Sequence, residues 1–174
     1  MHWAPDGSAA LIQTGNFHDE SGNSYYGQSN LQFFNTSDKK INQVHFHDGP
    51  LHDVAWSPDS NNFVIVSGFM PAYSIIYDKQ CKPFFEFGKH HRNTIKFSPF
   101  SRFMSLSGFG NLNGEIDVWD LKQMKIVGTC KSSSAVNLIW SPDGRQHMTA
   151  TLFPRLRVEN NLKIFYYSGF FVLL

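Results

Sequence analysis

The sequence predicts an all-β fold, because aromatic residues are abundant, turn signals recur and no helical period of useful length is present. Phe, Tyr and Trp make up 16% of the 174 residues, with seventeen Phe. These residues favour pleated, half-buried strands. Short apolar runs alternate with turn residues along the chain. Together these observations indicate an array of short strands joined by turns.

A five-residue turn motif recurs four times and predicts the architecture. An aromatic residue precedes Ser-Pro-Asp or a close variant, and a small residue usually follows. The copies are residues 3–7, 56–60, 97–101 and 140–144, so their starts are 53, 41 and 43 residues apart. The last two spacings match the roughly 40–45 residues of one blade of a WD-type β-propeller. The excess in the first spacing lies in a polar, Gly-rich segment at residues 15–29.

Each repeat is predicted to form four strands, A to D, around this turn. The later copies place A strands at 51–56, 94–97 and 135–140, and B strands at 63–66, 103–106 and 146–151. C strands are predicted at 31–34, 74–78, 116–120 and 162–166, and D strands at 41–46, 83–87 and 125–129. With the B strand of the first repeat, the total is about fourteen.

The count predicts a partial WD40-like β-propeller, about three to four blades of a larger propeller. We assign a blade 1 remnant to residues 1–46, blade 2 to 47–88, blade 3 to 89–130 and an incomplete blade 4 to 131–174. An arc that does not close leaves its terminal blades with unpaired edges. The sequence is therefore expected to be a fragment of a longer chain.

Functional residues are expected in the loops opposite the repeated turns. In a four-stranded meander the A–B and C–D turns share one end, and the B–C and D–A loops share the other. Loops held by a rigid scaffold commonly carry function. The B–C loops are 15–29, 68–72, 108–114 and 153–161, and the D–A loops include 47–50 and 88–93.

Composition and local sequence limit the classes of function. Fifteen basic and fourteen acidic residues give a net charge of +1, so attraction to RNA or to a membrane would need a local patch. No signal peptide and no membrane-spanning segment is predicted, and no membrane partner is expected. The two cysteines, Cys81 and Cys130, lie far apart, which favours reduced thiols and a cytoplasmic protein.

Neither a metal site nor a catalytic site is predicted. His45 and His47 alternate on a strand with His52 nearby, but a strand end with one half-buried histidine is the favoured interpretation. The glycine series 108–114 is not followed by a helix, as a dinucleotide site would require. No grouping of acid, base and nucleophile is present. The sequence therefore predicts a protein that is not an enzyme and has no cofactor.

Binding residues are predicted at the end of the blades that carries the B–C and D–A loops, which we call the loop end. Arg155 and Arg157 are the best candidates for RNA phosphate, because arginine offers a planar fork of donors; a salt bridge across the loop is an equal alternative. Lys89 and Arg92 are candidates for the same role, although a solvated loop is the favoured interpretation of the run His90-His91-Arg92. The aromatic or apolar contacts are expected from Phe69, Met70, Phe109 and Leu112.

Four runs of sequence carry a resemblance to a known family. They are DVAWSPDS at 53–60, SGFMPA at 67–72, SGFGNLNGEIDVWD at 107–120 and ATLFPRLRV at 150–158. The chain resembles the central propeller of the eukaryotic translation initiation factor 2A family, the single-chain factor rather than the trimeric GTP-binding one. The chain departs from the pattern where Phe100 replaces Asp, and where Ser60 and Ser101 replace Gly.

The resemblance implies a cytoplasmic, non-enzymatic initiation factor whose propeller has more blades. It implies the small ribosomal subunit as partner, with initiator tRNA, mRNA and other initiation factors as further partners. The leading hypothesis is therefore binding of ribosome or RNA through the loop end of the blades. The alternative is a WD-repeat scaffold for protein–protein interaction without direct RNA contact, similar to a scaffold component of initiation factor 3.

Overall fold

The computed structural model describes residues 1–15, 29–152 and 160–173. Its described residues form four sheets, each of four antiparallel strands in sequential order. These meanders are the blades of a partial β-propeller, which confirms the predicted fold class. The chain divides into two compact units, residues 1–90 and residues 91–174. No helix that could span a membrane is found among the described residues.

The first unit contains eight strands in two sheets. The first sheet consists of β1 (His2–Trp3), β2 (Ala9–Gly15), β3 (Ser29–Asn35) and β4 (Ile41–Val44). The second consists of β5 (Leu51–Trp56), β6 (Asn62–Ser67), β7 (Ala72–Asp78) and β8 (Pro83–His90).

The core of the first unit is built by aromatic side chains that the strand register brings together. Trp56 on β5 pairs with Phe63 on β6, which pairs with Tyr77 on β7. The Phe63 ring is stacked on the Tyr77 ring at 5.3 Å and contacts Phe33 of the first sheet at 6.1 Å. Directly paired residues on neighbouring strands lie on the same face of a sheet, so these three rings form one aromatic surface on the second sheet. Burial of this surface against Phe33 packs the second sheet against the first.

The second unit has the same organisation. Its first sheet consists of β9 (Thr94–Phe97), β10 (Phe103–Ser107), β11 (Glu115–Asp120) and β12 (Lys125–Lys131). Its second sheet consists of β13 (Asn137–Trp140), β14 (Gln146–Thr151), β15 (Asn161–Tyr166) and β16 (Phe171–Leu173). Phe103 on β10 packs against Trp140 on β13, with ring centroids 6.3 Å apart.

The repeated motif forms the turn between the first two strands of each sheet. Ser57 shows its chemistry: its hydroxyl donates to Asp59 at 2.6 Å and accepts the Asn62 N–H at 3.0 Å. Ser141 makes the same contacts with Asp143 and the N–H of Gln146. The final residue of every copy has a positive φ: 72° at Gly7, 61° at Ser60, 57° at Ser101 and 67° at Gly144.

Serine at the last position of the second turn has a specific contact. The left-handed region favours glycine, yet position 60 is serine. The backbone N–H of Asp6, in the first copy of the turn, donates a hydrogen bond of 3.0 Å to the Ser60 hydroxyl. Ser60 therefore connects two successive turns, which a glycine at this position could not do.

Two short strands account for the difference between the predicted and observed strand numbers. Sixteen strands are present among the described residues, against about fourteen predicted. The additional strands are β1, of two residues, and β16, of three. Both are too short to show an alternating pattern in sequence. Each pairs with a neighbour, so all four sheets are four-stranded.

Candidate functional site

Two loops meet at one end of the β5–β8 sheet and form a platform. The loop before β5, residues 47–50, contacts the β6–β7 loop, residues 68–71. The Gly68 N–H donates to the Pro50 carbonyl at 3.0 Å, and a ring nitrogen of His52 lies 2.8 Å from the Gly68 carbonyl oxygen. These contacts fix the β6–β7 loop by its backbone.

Gly49 allows the two loops to approach so closely. Its φ is +119°, and a Cβ there would lie 3.0 Å from the backbone of Gly68 and Phe69. A side chain at position 49 would thus be strained in conformation and would also press on the neighbouring loop. The platform depends on glycine at this position.

A cation and two aromatic rings lie beside this platform; we call His47, Tyr73 and Lys89 the Lys89 cluster. The His47 and Tyr73 rings are stacked, with centroids 3.7 Å apart and planes inclined by 23°. Tyr73 and Lys89 are direct cross-strand partners on β7 and β8. The Lys89 ammonium lies over the Tyr73 ring, 5.0 Å from its centroid. A cation–π contact therefore holds an exposed positive charge in place.

Phe69 extends from the platform next to the Lys89 cluster. Its side chain is 54% exposed, and it is among the large apolar residues on the surface. The preceding residue, Gly68, lies against the Tyr73 ring, since a Cβ at Gly68 would be 3.5 Å from Tyr73 Cδ2. Met70 follows in the same loop and is partly buried. Of the predicted binding residues, the structure thus places Phe69, Met70 and Lys89 at one end of one sheet.

Arg92 does not have the exposed position that its predicted phosphate contact requires. The residue is 6% exposed. Its guanidinium pairs with Asp117 at 2.7 Å and with Glu115 at 3.1 Å, and it also donates to the His91 carbonyl at 3.0 Å. Because these acceptors occupy the guanidinium inside the protein, the expectation of a free surface charge was wrong. Arg92 instead ties the β8–β9 loop to β11.

Phe109 is also buried, contrary to the expectation that it contacts a partner. Its side chain is 4% exposed and packs in a core cluster with Ile116 and Leu138. Asn93 fixes its backbone, accepting the Phe109 N–H at 2.9 Å and donating to its carbonyl at 3.0 Å. Leu112, in the same loop, is partly buried. Phe109 therefore anchors the β10–β11 loop.

Two predicted residues, Arg155 and Arg157, lie outside the described residues, which omit 153–159. Their proposed contact with phosphate stays a prediction.

A contact between the partly buried Cys130 and the buried His147 in the second unit has the chemistry of a core contact. The Cys130 sulfur lies 3.5 Å from the His147 ring Nε2. Burial raises the pKa of the thiol to about 12 and lowers the pKa of the imidazole to about 4. Both groups are therefore neutral near pH 7, whereas an activated cysteine nucleophile needs a thiolate. No group of three or more possible metal-ligating side chains was found among the described residues.

An aromatic groove with a volume of about 540 Å³ lies next to the Lys89 cluster and shares His47 with it. Phe46, Tyr77, Phe84 and Phe85 contribute to its walls, and Glu86 lies at the same site. The Tyr77 hydroxyl donates to the His45 carbonyl at 3.0 Å, which fixes one wall. Phe84 is 49% exposed.

Of the three residues in the Lys89 cluster, only Lys89 is among the binding residues predicted from the sequence. Tyr73 lies inside a strand, and its pairing with Lys89 depends on the register of β7 and β8. An alignment of these two strands across their turn could have suggested the cation–aromatic pair. The stacking of His47 could not be found in this way, because the residue comes from the loop before β5.

Comparison with known proteins identifies the family. The sequence model described as "Eukaryotic translation initiation factor eIF2A" matches residues 1–173. Eukaryotic translation initiation factor 2A of Dictyostelium discoideum is 40% identical over 167 residues, covering 96% of this chain and 27% of that protein. The Drosophila melanogaster protein of the same name is 38% identical over 169 residues, covering 97% of this chain and 26% of that protein. The chain thus spans about a quarter of the length of these relatives.

A solved structure agrees with this assignment. The protein described as "Crystal structure of the eukaryotic initiation factor" superimposes with a TM-score of 0.72 at 35% sequence identity, covering 83% of this chain and 39% of that one. A component of eukaryotic translation initiation factor 3 from Xenopus laevis is more distant, at 23% identity over 177 residues, covering 97% of this chain and 25% of that protein. The chain belongs to the eukaryotic translation initiation factor 2A family.

Proposed function

We propose that this chain acts in translation initiation in the cytoplasm, as a non-enzymatic module that binds the small ribosomal subunit through RNA. The site of contact is the loop end of the β5–β8 sheet, with Lys89 facing an RNA phosphate. Family membership supports the role in initiation. Initiator tRNA and mRNA are RNA partners that the same chemistry would accept, and other initiation factors are candidate neighbours in the assembly.

The observation that carries this proposal is the position of Lys89. Its ammonium is held 5.0 Å from the Tyr73 ring centroid, and the residue is exposed. Holding a long side chain in one place before binding reduces the entropy lost on binding. The contact with the ring leaves the charge available, because a cation–π interaction does not neutralise it.

The positions of the lysines in the first unit support the same end of the sheet. With a net charge of +1 for the chain, attraction to RNA has to be local. Among the described residues of this unit, the other lysines lie in turns at the opposite ends of their sheets; they are Lys39, Lys40, Lys79 and Lys82. Two of these, Lys40 and Lys79, are paired with Asp38 and Asp6.

Charge reversal of Lys89 tests the proposal in the full-length protein. Lys89→Glu and the matched control Lys82→Glu each change the net charge equally, at opposite ends of one sheet. Co-sedimentation with purified small ribosomal subunits is measured over a salt series. We expect Lys89→Glu to weaken binding about tenfold and to reduce the salt dependence by about one counterion, while Lys82→Glu has little effect. Equal binding of the two variants at every salt concentration would overturn the proposal.

A second candidate function, a protein–protein scaffold, rests on the aromatic groove. Grooves lined by aromatic side chains are suited to short extended peptides, and Phe84 presents an apolar surface there. Cross-linking in cell extract separates the two candidates. Ultraviolet cross-links to RNA that depend on Lys89 favour the first, whereas protein adducts alone, lost in Phe84→Ser, favour the second.

A further inference from the structure

We propose that the aromatic groove binds a proline-rich segment of a partner protein, and that this segment carries an arginine or a lysine. Its prolines pack against Phe84 and Phe46, and its cation pairs with Glu86. The inference rests on the second candidate function, for which it names the ligand. It does not depend on contact between RNA and Lys89.

Two stretches of chain line most of the groove, and contacts within the first unit hold them. They are residues 45–47, which follow β4, and residues 83–86 of β8; Tyr77 of β7 lies at the same site. The buried Tyr77 donates its hydroxyl to the His45 carbonyl at 3.0 Å, and Phe46 packs against the core of the unit. The volume of about 540 Å³ lies within the range of ligand clefts, about 300–1,000 Å³. A groove that is formed before binding loses little entropy when a ligand enters.

An irregularity in β8 allows consecutive residues of one strand to line the same groove. Successive side chains of a regular strand point to opposite faces. Ile76 pairs with Phe85, whereas the next residue, Tyr77, pairs with Pro83, so the register passes over Phe84. An extra residue of this kind re-aims side chains of its strand. Phe84 is 49% exposed, and no other aromatic ring stacks on it within the part of the chain that the structure describes, so its ring is available to a ligand.

The edge of β8 favours a polyproline II ligand over an added β-strand. β8 is the last strand in the order of its sheet, but its first residue, Pro83, has no N–H to donate, and its register with β7 shifts twice. Prolines and bulges are features by which edge strands resist the addition of another strand. A polyproline II helix needs no such row of donors, because its backbone remains solvated. Grooves lined by aromatic side chains are the sites at which PxxP segments dock.

The charge at the groove selects a ligand that carries a cation. Glu86 is exposed, and among the described residues that line the groove it is the only carboxylate, with no lysine or arginine beside it. Burial raises the pKa of Tyr77 to about 12, and the negative charge of Glu86 contributes to the same shift, which places the carboxylate near the lining. No ion pair involves Glu86 within the described part of the chain. An arginine or lysine of the ligand would form a charge-assisted hydrogen bond with it.

Peptide binding to the full-length protein tests this inference. A synthetic array presents PxxP peptides in which the two central positions vary, each in one version with a flanking arginine and one with a flanking glutamate. The affinity of the tightest pair is measured by fluorescence anisotropy, together with a copy in which alanine replaces every proline. The variants are Phe84→Ser, Glu86→Lys and the control Phe100→Ser. Phe100 is a matched control because it is exposed, at 71%, and does not line the groove. Far-ultraviolet circular dichroism verifies that each variant is folded.

We expect a separate signature from each contact. The arginine version binds more tightly than the glutamate version, and the alanine copy binds about tenfold more weakly because it lacks the preformed polyproline II conformation. Phe84→Ser weakens binding about tenfold, and Phe100→Ser leaves it unchanged. Glu86→Lys weakens binding of the arginine version about fivefold and strengthens binding of the glutamate version. The inference is overturned if no peptide of the array binds, if the alanine copy binds equally well, if Phe84→Ser keeps the full affinity, or if Glu86→Lys affects both versions alike.

The outcomes separate this inference from the proposed function. If Lys89→Glu weakens small-subunit binding but no peptide binds in a manner that depends on Phe84, the inference fails and the proposed binding to the small subunit remains. If peptide binding depends on Phe84 and Glu86 but small subunits are not bound, that proposal fails and the inference remains. Ultraviolet cross-links to RNA that are lost in Phe84→Ser would assign the groove to RNA and overturn the inference.

Discussion

The indole N–H of Trp140 donates a hydrogen bond of 3.1 Å to the backbone carbonyl of Lys96. Trp56 makes the equivalent bond of 3.0 Å to the carbonyl of His2. In both cases the acceptor immediately precedes the aromatic residue of the previous turn motif, Trp3 or Phe97. The same hydrogen bond between consecutive sheets thus occurs twice in this chain. The tryptophan of the motif therefore binds the backbone of the preceding sheet as well as taking part in its own turn.

Trp140→Phe tests the energetic contribution of this bond. The substitution keeps an aromatic ring but removes the N–H donor, so the Lys96 carbonyl loses a partner. We expect the free energy of unfolding to fall by about 1–2 kcal/mol, measured by urea denaturation. Trp3→Phe is the control, because Trp3 is 55% exposed; it should change stability by less than about 0.5 kcal/mol. Equal effects of the two substitutions would contradict a specific role for the bond.

Arg92→Met distinguishes a structural arginine from one that contacts RNA. Removing the guanidinium leaves the buried Asp117 carboxylate, 11% exposed, without its partner. Loss of one partner from a buried ion pair costs about 3–5 kcal/mol, which we expect in thermal or urea unfolding. Lys89→Ala should cost less than about 1 kcal/mol, because its cation–π contact is exposed. A stable Arg92→Met protein with weakened RNA binding would restore the contact role for Arg92.

Two glycines with similar backbone conformations should respond differently to alanine. Gly114 has a φ of +76° and Gly7 a φ of +72°. A Cβ at Gly114 would overlap the carbonyl oxygen of Ser132, whereas nothing lies within 4 Å at Gly7. Gly7→Ala should therefore cost about 1 kcal/mol of conformational strain, and Gly114→Ala about 3 kcal/mol in total. Urea unfolding of the two variants gives the comparison, and equal losses would show that space is not the deciding factor.

The buried His147 should make stability depend on pH. Burial lowers the pKa of its imidazole from 6.5 to about 4. As pH falls below 6.5, the unfolded chain binds a proton that the folded protein does not, so the unfolded state is favoured. The stabilising contribution is complete above pH 6.5 and is lost as pH falls towards 4. The loss amounts to about 3 kcal/mol when it is complete.

Two substitutions test the cause of this pH dependence. His147→Phe keeps a ring beside Phe165, on which His147 stacks at 5.6 Å, and should remove the decline between pH 6.5 and pH 4. Cys130→Ala should keep the decline, because burial rather than the thiol lowers the pKa of the imidazole. Urea unfolding at a series of pH values measures both. A decline that persists in His147→Phe would assign the effect to another group.

Repetition made the turns and strands predictable from sequence. The hydroxyl of Ser57 accepts a backbone N–H and bonds Asp59, and both residues lie within the motif. Such local chemistry is readable because its partners are two to five residues apart. The aromatic content likewise indicated the core, where Trp56, Phe63 and Tyr77 are cross-strand neighbours.

The orientation of individual loop side chains was not predictable in the same way. Arg92 is buried because the carboxylate of Asp117 accepts a hydrogen bond from its guanidinium, and Asp117 lies 25 residues further along the chain. Phe109 points into the core because Asn93, 16 residues earlier, holds its backbone. In sequence both residues stand among glycines, histidines and asparagines typical of exposed loops. Their burial depends on partners supplied by the fold.

The contact between Asp6 and Ser60 limits how far the repeats are interchangeable. Within its own repeat, Ser60 only replaces the glycine that a left-handed position favours. Its hydroxyl instead accepts the N–H of Asp6 in the repeat before it. A hydrogen bond that stabilises the turn of the first blade therefore depends on a side chain of the second blade. A chimaera that joins the first repeat to a foreign second repeat with glycine at this position would lack this bond at its junction, even though each parental repeat satisfied its own motif.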